Sequence, residues 1–180
     1  MASNCLQTLS GLLYDECGGN IAGIARVYIG QRADINDASV VAEASTMTIT
    51  GFAMADGTKV YQYDFAEETG SLTSTLTRAN GNKYWTNDIN LVFNKLEARK
   101  HVEIEALAAG RLFVIVEDNN GLFHFVGLSR YATVNAGTAE TGTAIDDANQ
   151  YTTTISAREK TLPYFIAKSL FESYISTPAS

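Results

Sequence analysis

The sequence predicts a mainly β protein, an antiparallel β-sandwich or barrel with one α-helix, at about 94–109, packed against it. Three observations carry that expectation. Thr is abundant and nine Tyr and eight Phe stand against only two Pro; these side chains suit a pleated, half-buried surface. Asx-Gly pairs at Asp56-Gly57, Asn80-Gly81 and Asn120-Gly121 fall between strand-like runs, where tight turns need the positive φ that Asn tolerates and Gly accepts freely. Leu112–Val116 is an uninterrupted apolar run, and a second, Leu122–Leu128, returns after Asn119-Asn120-Gly121, which reads as a buried hairpin.

Taken in order, Gly23–Gly30 reads as a short buried strand bounded by glycines. Glu43–Met54 alternates Thr46, Thr48 and Thr50 against Met47 and Ile49, the period of a half-buried strand. Asp56-Gly57 then turns into a partner strand at Lys59–Ala66, and Asn80-Gly81 joins Ser71–Arg78 to Lys83–Lys95, giving an antiparallel meander. The helix is expected from its Ala, Leu, Glu, Lys and Arg content, with Asn94 as its N-terminal cap and Gly110 ending it in the left-handed conformation. Small polar residues over 135–150 suggest a flexible arm, long for an idle turn. Tyr151–Lys160 alternates again as a strand. The tail from Pro163 spaces Phe165, Ile166, Leu170, Phe171, Tyr174 and Ile175 as a short amphipathic helix would, and must pack on its own domain or on a neighbour. With no boundary or convincing repeat, residues 1–180 read as one domain carrying that arm and, at about 163–180, an apolar tail.

Composition narrows function. The chain has 46% hydrophobic and 18% charged residues and a net charge of −7, an ordinary globular balance without the basic face that gripping nucleic acid requires. The densest basic patch is Arg99-Lys100-His101. Cys5 and Cys17 could pair, but two cysteines behind no secretory segment read as reduced thiols. The N-terminus lacks a basic region followed by a sustained apolar one, and no run is long enough to span a membrane.

Reactive constellations are scarce. His101 reads as a solvated helix residue and His124 as an imidazole on an exposed sheet face, and no serine stands in a nucleophile-elbow pattern. Neither cysteine has the basic surroundings of a nucleophile. No Cys-x-x-Cys or His-x-x-x-His suggests zinc. Glu117–Gly121 and Ala144–Gln150 offer oxygen atoms without calcium-loop spacing. Gly18-Gly19 precedes no phosphate-loop lysine, and Glu67-Glu68 and Asp146-Asp147 read as wet turn residues. The expectation is a non-enzyme with no cofactor and no metal.

The segment from Asp88 to Glu159, with the strand "INLVFNK", the helix ending "ALAAG", then "RLFVIVEDNNGLFHFVG" and "NAGTAETGTAIDDANQYTTTISAREK", resembles phage virion proteins of the tail-tube type, especially those of phages infecting gut Bacteroidales, crAss-like phages included. The opening "NCLQTLSGLLYDECGGNIAGIARVYIG" is similar to the start of such proteins. The resemblance covers about two thirds of the chain. It implies a β-barrel or sandwich subunit that joins identical copies in a ring, commonly hexameric, within the tail or neck of a virion made in the host bacterial cytoplasm. DNA would pass without specific binding, other tail or neck proteins would be neighbours, and no membrane is involved. A repeated tube and a single ring both remain open. The resemblance supplies no catalytic residues; its functional positions would be interfaces, here Gly137, Thr138, Glu140, Thr141 and Gly142 on the arm and Phe171 and Tyr174 on the tail. Six copies at −7 each would make a ring of −42, which would hinder DNA adhesion if it faced the channel. Two other readings are a head-associated auxiliary or decoration protein and a carbohydrate- or receptor-binding β-sandwich using Tyr84 and Trp85.

Overall fold

The computed structural model describes residues 11–12 and 19–178. Strands β1 (Ile24–Gln31), β2 (Val41–Glu43), β3 (Thr48–Gly51), β4 (Val60–Tyr63), β5 (Ser71–Ala79) and β6 (Asn82–Asn94) precede helix α1 (Ala98–Ala109). After it come β7 (Leu112–Asp118), β8 (Phe123–Val126), β9 (Thr133–Glu140), β10 (Gln150–Glu159), β11 (Tyr164–Ile166) and β12 (Ile175–Ser176). The fold is mainly β with one α-helix. A curled eight-stranded sheet runs β12-β4-β1-β7-β8-β11-β3-β2, and a four-stranded sheet runs β5-β6-β10-β9.

The apolar run Leu112–Val116 explains this layering. Every one of its residues is buried, so β7 has core on both faces, as a strand without alternation must. Leu112, Val114 and Val116 join Val27 and Ile29 of β1 and pack against Ile89, Leu91, Phe93, Tyr151 and Ile155 of the four-stranded sheet. Phe113 and Ile115 point the other way, into the hollow of the curl, with Tyr28, Phe52, Val60, Phe125, Ile166 and Phe171. A register shift between Ile24 and Arg26 puts Ile24 in the first core and leaves Arg26 beside Glu117 on the other face. Helix α1 closes the side of the sandwich through Leu107 and Ile104.

Several turns differ from expectation. Asn80-Gly81 forms the two-residue hairpin, with φ of 50° and 78° and Ala79 opposite Asn82. In the β7–β8 hairpin only Gly121 has positive φ; the Gly121 amide bonds to the Asp118 carbonyl at 3.0 Å, so this is a three-residue loop with a left-handed Gly. Asp56-Gly57 makes no hairpin, because β3 and β4 lie far apart in the order of the curled sheet. The expected strand over Glu43–Met54 is broken by a turn with Met47 at φ 54°, giving β2 and β3. The ladder is not wholly antiparallel: β11 pairs with β3, and β12 with β4, in parallel.

The helix begins later than expected. Glu97, without a side-chain cap, precedes it, and Gly110 is extended at φ −80°, because β6 continues through Asn94 and the chain passes straight from the helix into β7. The expected arm is half strand: Thr133–Glu140 pairs with β10 as β9, leaving only the following loop outside the sheet. The tail forms no amphipathic α-helix. It contributes β11, two 3-10 turns and β12, so its apolar residues serve the curled sheet. Cys5 and Cys17, and the N-terminal segment read for a signal, lie outside the described residues.

Candidate functional site

Strict alternation in the four-stranded sheet sends its apolar side chains into the core and leaves a second face of hydroxyls and amides. On β6, Thr86, Asp88 and Asn90 alternate with buried Asn87, Ile89 and Leu91, and on β10, Thr152, Thr154 and Ser156 alternate with buried Thr153, Ile155 and Ala157. Register aligns Ser71, Thr73, Thr75 and Thr77 of β5 and Thr133 and Thr138 of β9 with the same face. Short side-chain bonds lace it together. Thr154 Oγ1 donates to Asn90 Oδ1 at 2.8 Å, Asn90 Nδ2 to Ser71 Oγ at 3.3 Å, Gln150 Nε2 to Glu140 Oε1 at 2.9 Å, and Ser156 Oγ to Asp88. Charged strand residues on this face are Asp88, Glu140 and Arg158, the last 5.9 Å over the Tyr84 ring. The acidity of the chain is therefore not concentrated here.

The outer strands of this sheet are β5 and β9; helix α1 packs against β9, and residues 135–140 of β9 are exposed. β5 carries one charged residue, Arg78, and β9 one, Glu140, at its last position. A bulge leaves Asn135 unpaired, after which Ala136–Glu140 keeps unbroken register with β10 and is exposed. Single-chain proteins usually guard such edges with Lys, Pro or a covering element. Because the four strands alternate in direction, the free side of β9 runs antiparallel to the free side of β5.

The two hairpin loops leave opposite ends of the sheet, since Asn94 pairs with Gln150 while Trp85 pairs with Glu159. At the first end, the β9–β10 loop is held by the Asp147 carboxylate, which accepts from the amides of Thr143 and Ala144, both at 2.7 Å, and from the Thr143 hydroxyl at 2.9 Å. Those bonds, the Ala144 amide foremost, hold the Asp147 carboxyl below its ordinary value. Ile145, within this loop, is wholly exposed.

Of the residues singled out from sequence, Gly137, Thr138 and Glu140 lie on β9, while Thr141 and Gly142 begin the loop. Thus the structure brings these five together along one edge and its tip. Phe171 is different. It is fully buried, edge-on to Tyr28 at 5.5 Å, and Tyr174 is half-buried against Phe52; both fill the protomer's own core. The β5 edge carries no sequence signal beyond its threonines.

The histidines are more engaged than their sequence context suggests. His101 Nδ1 lies 2.5 Å from the Tyr151 hydroxyl, tying α1 to β10, while Tyr63 on β4 donates to Glu103 of the helix. Burial, then the Glu103 carboxylate, push the Tyr63 hydroxyl well above its usual range. His124 Nε2 is 3.2 Å from Asp118 Oδ2 and its ring 4.9 Å from Phe165. Burial acts to raise the Asp118 carboxyl, but bonds from the Leu122 amide, His124 and the Asn120 amide outweigh it and leave the group lowered. The other partners of the Asp118 carboxylate are the main-chain amides of Asn120 and Leu122. Tyr84 and Trp85 occupy opposite faces of β6, so they do not form one stacking platform for a sugar. Among the described residues no group of three or more His, Cys, Asp or Glu could hold a metal ion, and no helix is long and apolar enough to cross a membrane.

Comparison of the chain with protein-family models, curated proteins and solved structures finds no match.

Proposed function

We propose that this chain is a structural protomer of a phage tail or neck ring, joined to identical copies through the edges of its four-stranded sheet, with DNA passing along the hydroxyl-lined face. The observation that carries this reading is the pair of outer strands, β5 and the exposed Ala136–Glu140 stretch of β9, on an all-antiparallel sheet with an even number of strands. Pairing β9 of one copy with β5 of the next continues the antiparallel ladder, and a head-to-tail contact of this kind closes into a ring when its rotation permits. Six copies would give a barrel of about 24 strands. At about 4.8 Å per strand and a tilt of about 40°, its backbone diameter is roughly 45–50 Å, room for a hydrated duplex.

The face suits passage better than binding. It presents Thr, Ser and Asn side chains already bonded to one another, and Arg158 is its one strand cation, so phosphates meet no dense positive surface to release counterions.

A proline on the open edge tests the reading. Ala79 and Asn82 flank a two-residue turn and so form a hydrogen-bonded pair; alternation then points the amides of Leu72, Ser74 and Leu76 away from β6. Ser74→Pro removes one outward donor without cutting the internal ladder. Light scattering after size exclusion is expected to show rings for the parent protein and folded monomers for Ser74→Pro. A parent protein that stays monomeric, or a variant that assembles equally well, contradicts the proposal.

A further inference from the structure

Asn-Gly occurs twice in the chain, at Asn80-Gly81 and Asn120-Gly121, and the fold holds the two pairs in opposite ways. The dipeptide matters chemically because a glycine main-chain nitrogen, unshielded by a side chain, can attack the amide carbon of the asparagine before it. Both pairs are exposed, and a Cβ added at either glycine would meet nothing within 4 Å. Access therefore does not separate them; hydrogen bonding does.

Asn120 is held at both reacting groups. Its Oδ1 accepts from the Ile21 amide at 3.0 Å, and its Nδ2 donates to Asn20 Oδ1 at 3.1 Å and to the Ile21 carbonyl at 3.0 Å. The Gly121 amide donates to the Asp118 carbonyl at 3.0 Å. The Asp118 carboxylate, which accepts from the Asn120 amide at 2.9 Å, adds negative charge beside the pair. At Asn80 neither group is held: among the described residues the Asn80 side chain and the Gly81 amide make no hydrogen bond. The neighbours there are cationic, since Arg78 faces Lys83 across the ladder. Their charge favours the anion that forms when the Gly81 nitrogen gives up its proton, whereas Asp118 opposes it at Gly121. The last rung of this hairpin, Ala79 opposite Asn82, is at the end of an outer strand, where opening costs least and lets the nitrogen swing toward the side chain.

We infer that Asn80 is a site of spontaneous covalent modification, deamidating in the folded protein while Asn120 is protected. The Gly81 nitrogen bonds to Cγ of Asn80, the Cγ–Nδ2 bond breaks, and ammonia leaves carrying the proton lost by the nitrogen. Water then opens the resulting cyclic imide at either carbonyl, giving aspartate or isoaspartate. Both products place a carboxylate near Arg78 and Lys83, relieving a like-charge pair that opposes the ladder. Isoaspartate also inserts an extra carbon into the main chain, which a two-residue turn takes up only by losing its last rung. The inference stands on the turn and is independent of assembly.

The purified full-length chain is kept in mildly alkaline buffer, sampled over time and digested with trypsin, which releases Asn80 within Ala79–Lys83 and Asn120 within Leu112–Arg130. Peptide masses and fragmentation locate each amide-to-acid change, and methyl transfer by a protein isoaspartate methyltransferase scores isoaspartate. Asn80 is expected to convert at least about tenfold faster than Asn120, the factor that about 1.4 kcal/mol of protection supplies. In urea, where the bonds to Asn120 are gone, the two rates should converge. Asn20→Ala, which removes one partner of Asn120 Nδ2, should speed Asn120 and leave Asn80 as it was. Asn80→Gly keeps a residue suited to positive φ and should lose methyl acceptance in the 79–83 peptide. Equal rates in the folded protein, faster conversion at Asn120, or an Asn80 that stays intact overturns the inference.

Discussion

Gly30 of β1 lies opposite Phe113 in the ladder, and a Cβ added there would fall 2.5 Å from the Phe113 ring. That ring is stacked on Phe125 at 5.4 Å and meets Phe52 at 6.2 Å, so it cannot yield without disturbing the whole hollow of the curled sheet. Gly30→Val should therefore cost about 1–3 kcal/mol through overpacking, read from the midpoint of urea unfolding. Phe171→Ala removes a fully buried ring and should cost about 3–5 kcal/mol in the same measurement, even at concentrations where the protein is monomeric. A loss confined to the assembled state would instead place Phe171 at an interface. From sequence the spacing of Phe171 and Tyr174 signalled burial but not by what, since apolar spacing alone does not separate an internal partner from a neighbour.

At the scale of elements, the turns show where local chemistry decides. Asn80-Gly81 was legible because its two positive φ values are a local demand met by those two residues. Asp56-Gly57 offered the same signal, but the strands on either side of it go to distant places in the sheet, a tertiary choice that no dipeptide encodes. Residues 135–140 looked like a loose arm because small side chains give little apolar alternation; their order comes from the ladder to β10. The Asp118 turn yields a pH prediction. Its carboxylate accepts from the Asn120 amide at 2.9 Å and the Leu122 amide at 2.8 Å, and its folded pKa is lowered from 3.8. A lowered group adds stability that is present above the unfolded value and lost as pH falls through the folded one. Asp118→Asn keeps an amide acceptor but no charge. Its unfolding free energy should fall less steeply than the parent's below about pH 4, and parallel profiles would show that Asp118 contributes nothing to the acid limb.

The molecule as a whole divides its tasks between two sheets. The curled sheet closes around its own aromatic core and is stabilised from within. The four-stranded sheet gives one face to the shared core and presents the other, with its two edges, to the outside. Composition and the Leu112–Val116 run made the β class and the deep core legible. The polar face was hidden because its threonines and asparagines are ordinary until register aligns them across four strands. The central claim is that β9 of one copy pairs with β5 of the next. A reconstruction of the assembled protein by electron cryomicroscopy tests it most directly. The account predicts a closed annulus lined by Thr73, Thr86, Thr154 and Thr138, with main-chain hydrogen bonds running from β9 to β5 across each boundary; an annulus joined through the curled sheet, with both edges free, would contradict it.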